Sequence, residues 1–123
     1  MDRPHPAVEA LRQYGEHWAP GGWRVDEHAH RLWELYYQAQ GSSCWRSGGR
    51  TFSVETGQGY LVTPRTRHRS LWFSRGAQHF YFAEFDLRAW WTRPSPLEPV
   101  NGFRVLPKAQ ALEPLFRLLM AEG

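Results

Sequence analysis

Turn-forming residues recur along this chain so often that little but short strands fits between them. Pro20-Gly21-Gly22, Gly41-Ser42-Ser43, Ser47-Gly48-Gly49, Gly57-Gln58-Gly59, Arg75-Gly76 and Pro94-Ser95-Pro96 mark the stops. Glycine opens backbone angles that other residues avoid and proline removes a donor, so helices of ordinary length do not run through such points. Strand-length runs at regular spacing predict a sandwich or barrel. A chain of 123 residues can bury one core of this kind but not two.

The runs themselves support that reading. From Trp33 to Gln38 the residues alternate, with Trp33, Leu35 and Tyr37 on one face and Glu34, Tyr36 and Gln38 on the other. Cys44 to Arg46 and Thr51 to Glu55 form a hairpin candidate around Ser47-Gly48-Gly49-Arg50. Tyr60 to Thr63 and Ser70 to Phe73 read as short strands on either side of Pro64 to Arg69. Gln78 to Leu87 is the longest strand candidate, with Phe80, Phe82 and Glu84 opposite His79, Tyr81, Ala83 and Phe85. The apolar set from Ala7 to Leu11 is open between a helical turn, a frayed end and a strand. After Pro107 the period changes: Ala109, Leu112, Leu115, Phe116, Leu118 and Leu119 make the stripe of an amphipathic helix, with Pro114 in its first turn. That stripe needs a surface to cover it, either the barrel wall or another subunit.

Charge and cysteine usage narrow the functional classes. The formal net charge is +3, and Lys108 is the only lysine, so the basic side chains are arginines. No basic run resembles a nucleic-acid-binding tail. Arg65, Arg67 and Arg69 share a face of an extended segment, where they serve as solvated charges or as an anion site. Cys44 is the single cysteine, which excludes an internal disulfide and a cysteine-based zinc cluster. The opening MDRPHPAVEALRQ has no unbroken apolar region, and no stretch is long and apolar enough for a membrane helix. A cytoplasmic, non-membrane protein is expected.

The chemistry-bearing residues lie in a G-x5-H-x-H-x3-E-x6-G pattern formed by Gly22, His28, His30, Glu34 and Gly41, with His68 downstream. His28 and His30 share a strand face and can aim at one point. Glu34 has the same parity, but straight strand would carry it roughly 13 Å beyond His30. Arg31-Leu32-Trp33 must therefore bend if the carboxylate is to return to the histidines. Three imidazoles and a carboxylate can hold Zn, Ni, Fe, Mn or Co and leave coordination positions open. The same groups can instead hydrogen-bond a ligand with no metal required. Tyr36, Trp45, Trp72 and Tyr81 are candidates for the walls of such a pocket.

The Gly22 to Gly41 pattern resembles the first cupin motif at every position. Gly59, Pro64 and His68 resemble the second, with shorter gaps, Thr66 in place of a glycine and Trp72 in place of an asparagine. Within cupins, His28-Ala29-His30-Arg31-Leu32-Trp33-Glu34-Leu35-Tyr36-Tyr37 with Gly41, Gly57, Gly59, Pro64 and His68 resembles the amino-terminal sensor domain of AraC-type transcription regulators over roughly residues 12 to 90. The resemblance implies a mainly β fold, a cupin jelly-roll β-barrel with a C-terminal α-helix. It divides the chain into a barrel over 1–106 and the start of a helical linker or dimerisation region over 107–123. It further implies a homodimer that senses a small effector, a sugar or small organic acid, with His28, His30, Glu34 and His68 at the polar end of the pocket. DNA would be reached only through a helix-turn-helix domain absent from this chain. No catalytic residue is assigned on this reading; the competing one is a small metal-dependent cupin enzyme, an oxygenase or isomerase, with the same four residues as ligands.

Overall fold

A computed structural model describes residues 11–20, 23–86 and 102–122. Gly22, the start of the first motif, and the Pro94 to Pro96 turn lie outside the described residues. The strands are β1 (Leu11–Ala19), β2 (Trp33–Gln40), β3 (Ser43–Ser47), β4 (Arg50–Val54), β5 (Gly59–Val62), β6 (Arg69–Phe73), β7 (Gln78–Phe85) and β8 (Phe103–Leu106), followed by α1 (Leu112–Glu122). They form a five-stranded sheet in the order β1-β7-β2-β5-β8 and a three-stranded sheet in the order β4-β3-β6. Every pairing is antiparallel. The mainly β, jelly-roll fold with a C-terminal helix is the one expected.

Between the sheets, Tyr36, Trp45, Val54, Tyr60, Val62, Phe73, Phe80 and Phe103 form the main core. Aromatic rings fill much of it: Tyr36 stacks on Tyr60 at 4.5 Å, and Trp45 meets Tyr60 edge-on at 5.1 Å. The β3–β4 hairpin turns through Gly48 and Gly49, whose φ angles of 57° and 76° suit the twist of the flanking strands. The helix closes the outer face of the larger sheet, where Tyr37, Tyr81, Ala83, Ala109 and Phe116 make a second core. Phe116 stacks on Tyr81 at 5.3 Å, and the Tyr37 hydroxyl donates to Glu113 at 3.3 Å. Pro114 falls in the helix's first turn, where its missing N–H costs nothing.

Two strands go beyond the sequence reading. Leu11 opens β1, whose charged residues and central Gly15 hide its strand character. Gly15 stands across from Phe82, and a Cβ there would come within 2.9 Å of that ring, so the glycine makes room for a half-buried aromatic on the neighbouring strand. β8 is only four residues long and completes the sheet beyond β5. Among the described residues, no helix is long and apolar enough to cross a membrane.

Candidate metal centre

Backbone pairing brings the first two histidines of the site together. Residues before β2 run antiparallel to those around β6: Ser70 N–H donates to the Val25 carbonyl, and His28 and His68 exchange two backbone hydrogen bonds, all at 3.0 Å. The His28 and His68 rings consequently lie 4.2 Å apart, with the His30 ring 4.7 Å from His28. The chain then bends at Arg31 and Leu32 before entering β2. The His30 carbonyl at that bend accepts from Arg65 N–H, and Arg65 holds a left-handed φ of 64° in the loop leading to His68. This is the bend that strand geometry demanded, and it returns Glu34 to the histidines.

One ligand atom from each of His28, His30, Glu34 and His68 lies within 4.8 Å of all the others. His30 Nε2 stands 3.5 Å from Glu34 Oε2, and His68 Nε2 stands 3.2 Å from Glu34 Oε1. The other nitrogens are engaged behind the rings. His28 Nδ1 meets the Asp26 carbonyl at 2.8 Å and His68 Nδ1 meets the Thr66 carbonyl at 3.0 Å. A carbonyl can only accept, so each Nδ1 carries a proton and Nε2 is the nitrogen left to face the cluster. His30 Nδ1 faces the Glu84 carboxylate at 3.2 Å. Beneath the cluster, the Tyr60 hydroxyl donates to Glu34 Oε1 at 3.3 Å.

Exposure falls from the mouth of the site to its base. The His68 side chain is fully buried and that of Glu34 is 10% exposed, whereas His30 is 27% exposed. Burial alone would push Glu34 up, but the His30 and His68 imidazoles facing its oxygens outweigh burial and bring its pKa down to about 2. The Glu34 carboxylate raises His30 against partial burial. Burial lowers His28, with the nearby His68 and His30 adding to the effect against the Asp26 hydrogen bond.

These residues fit a divalent metal. His30 Nε2 and His68 Nε2 are buried without an aligned hydrogen-bond partner, although both face Glu34. Buried polar atoms are seldom left so, and two beside a carboxylate form a donor set of the type that binds Zn, Ni, Fe, Mn or Co. Donors sharing one ion at about 2.1 Å each stand at most roughly 4.2 Å apart, and the 4.8 Å span of the four atoms is close to that limit.

The other predicted site residues divide. Tyr36 and Trp45 lie inside the barrel, with the Trp45 ring 6.1 Å from His68. Trp72 does not line it. A bulge in β6 opposite Cys44 and Trp45 turns Ser70 and Phe73 inward and leaves Trp72 on the outer surface, 47% exposed. Tyr81 also lies elsewhere, because the parity of β7 sends Phe80 and Glu84 inward and Tyr81 outward beneath Phe116. Tyr60 and Glu84 were missed as site residues. Their roles depend on β2 pairing with β5 and β7, which sets Glu34 beside Val62 and Glu84, and spacing along the chain carries no signal for that pairing.

Solved structures share the fold. A protein from Thermotoga maritima described as a predicted oxalate decarboxylase is 18% identical, with a TM-score of 0.57 over 63% of this chain and 69% of that one. The pirin of Escherichia coli in complex with nickel(II) is 17% identical, with a TM-score of 0.59 over 81% of this chain but 42% of its own. An RmlC-like cupin from Shewanella frigidimarina is 19% identical, with a TM-score of 0.53 over 64% and 68% of the two chains. No curated protein matches the sequence. The sequence pattern of the AraC-like ligand binding domain matches residues 11–122, and the chain therefore belongs to the AraC-like ligand binding domain family.

Proposed function

We propose that this chain is the effector-sensing and dimerisation domain of an AraC-type transcription regulator, and that His28, His30, Glu34 and His68 hold a divalent metal at the polar end of its barrel. Family membership across residues 11–122 supports the sensing role. The observation that carries the metal assignment is the pair of buried, unpartnered Nε2 atoms facing Glu34. When bound, the ion offers open coordination positions to a carboxylate or hydroxyl of the effector. The chain's own residues do the rest. His28 and His30 form the accessible side, Glu34 supplies the anionic donor, and Tyr60 steadies it from below. Aromatic packing fills the barrel beneath His68, so the effector sits at the mouth, and a sugar or small organic acid has the matching size and polarity.

In this reading the protein is cytoplasmic, and ligand binding shifts a population between arrangements of barrel and helix. DNA contact belongs to a helix-turn-helix domain outside these residues. The same donor set favours a second reading, a metal-dependent cupin enzyme acting as an oxygenase or isomerase.

Metal analysis of protein purified without added metal tests the assignment. Near-stoichiometric metal is expected in the wild type, with loss in the combined His28→Ala and His68→Ala variant. A metal-free wild type that also fails to bind added zinc or nickel would rule the assignment out. Screening sugars and small organic acids then separates the two functions. A sensor shows a ligand-dependent rise in melting temperature with the ligand recovered unchanged, whereas an enzyme returns it converted.

A further inference from the structure

The geometry points to Glu84 as a positioning residue that fixes the His30 ring for metal binding, an inference that rests on the metal assignment above. His28 and His68 have their Nδ1 atoms held by backbone carbonyls at Asp26 and Thr66. His30 differs: the group behind its ring is a side chain, with Glu84 Oε1 3.2 Å from Nδ1. Its own backbone lies between the His28 bridge and the start of β2, outside any strand. It is also the more exposed of the two histidines that face Glu34. His30 is thus the ligand whose orientation the backbone determines least.

Glu84 is well placed to supply what the backbone does not. It lies on β7 directly opposite Glu34 on β2, so the two carboxylates project from adjacent strands with the His30 ring between them. Glu34 faces Nε2, the nitrogen that would meet the ion, and Glu84 faces Nδ1. Glu84 is 12% exposed and does not belong to the ligand group itself. A carboxylate accepting from Nδ1–H locks the ring and its tautomer and makes Nε2 a stronger donor. This arrangement needs no movement of β7.

Cobalt(II) affinity, measured by chelator competition on the full chain, and the visible spectrum of the cobalt(II) form test the inference. Glu84→Gln is expected to weaken binding by roughly tenfold to a hundredfold and to shift the visible bands. In a His30→Ala background, adding Glu84→Gln is expected to change affinity by less than about twofold, since the ring it acts through is gone. Equal losses in both backgrounds would overturn the inference, because simple attraction between Glu84 and the cation survives without His30. Unchanged affinity and spectrum in Glu84→Gln would overturn it while leaving the metal assignment intact. A wild type that does not bind cobalt(II), zinc or nickel removes both. If Glu84→Gln fails to fold, Glu84→Asp, which keeps the charge but shortens the reach, is read for the same loss and the same dependence on His30.

Discussion

Glu34 is where opposing demands on single residues meet. Burial disfavours its charge, while two imidazoles require it, and the imidazoles prevail by bringing its pKa to about 2 from an ordinary 4.5. A depressed folded-state pKa contributes stability that is complete above pH 4.5 and is lost as pH falls through about 2. The contribution is on the order of 3 kcal/mol. Urea unfolding of metal-free protein is therefore expected to show a falling midpoint across this acid range and a flatter profile for Glu34→Gln. Identical profiles would contradict the assignment. His30 acts with the opposite sign: its raised pKa contributes stability below its ordinary value, lost as pH rises through the raised one. At this scale the spacing of His28, His30, Glu34 and His68 was enough to name the four residues that the fold brings together. Tyr60 and Glu84 were not legible, because a tyrosine or glutamate on a strand acquires a partner only when that strand acquires a neighbour.

Among the elements, the close approach of β5 to β2 makes the sharpest demand. A Cβ on Gly59 would collide with the Tyr36 backbone carbonyl, which cannot retreat without disturbing the ladder that carries Glu34. Gly59→Ala is expected to cost about 1–3 kcal/mol, read as a lower urea midpoint. A variant as stable as wild type would show that the strands can separate freely there. Parity also decided which aromatics face the barrel. Alternation over Trp33 to Gln38 in β2 and along β7 groups residues by face, but which face meets the barrel interior, and hence that Tyr81 points outward, is set by how the sheets pack. The β6 bulge interrupts alternation and carries Trp72 to the surface. β1 was obscured by Gly15, which has the form of a turn residue but serves the packing of Phe82.

Seen as a whole molecule, the helix is covered on one side and bare on the other. Phe116 is buried against Tyr81, whereas Leu115 and Leu118 are 58% and 63% exposed. Packing on its own sheet therefore accounts for only part of the apolar stripe, and the proposed dimer would cover the remainder. Sedimentation of the wild type is expected to give a dimer, and the combined Leu115→Glu and Leu118→Glu variant a monomer. Melting of the monomer should remain cooperative, because neither side chain contributes to the core. A monomeric wild type would remove dimerisation through this face.

By itself, the sequence determined the strand-rich architecture, the final helix and the identity of the four candidate residues, because turn residues, side-chain alternation and motif spacing are local properties of the chain. Tertiary structure alone decided that Glu34 comes back to the histidines, that Glu84 and Tyr60 join it, and that Trp72 and Tyr81 stay outside. Each of these depends on a bend, a bulge or a pairing between distant strands, and the free energy that selects them arises only when the sheets close over a shared core.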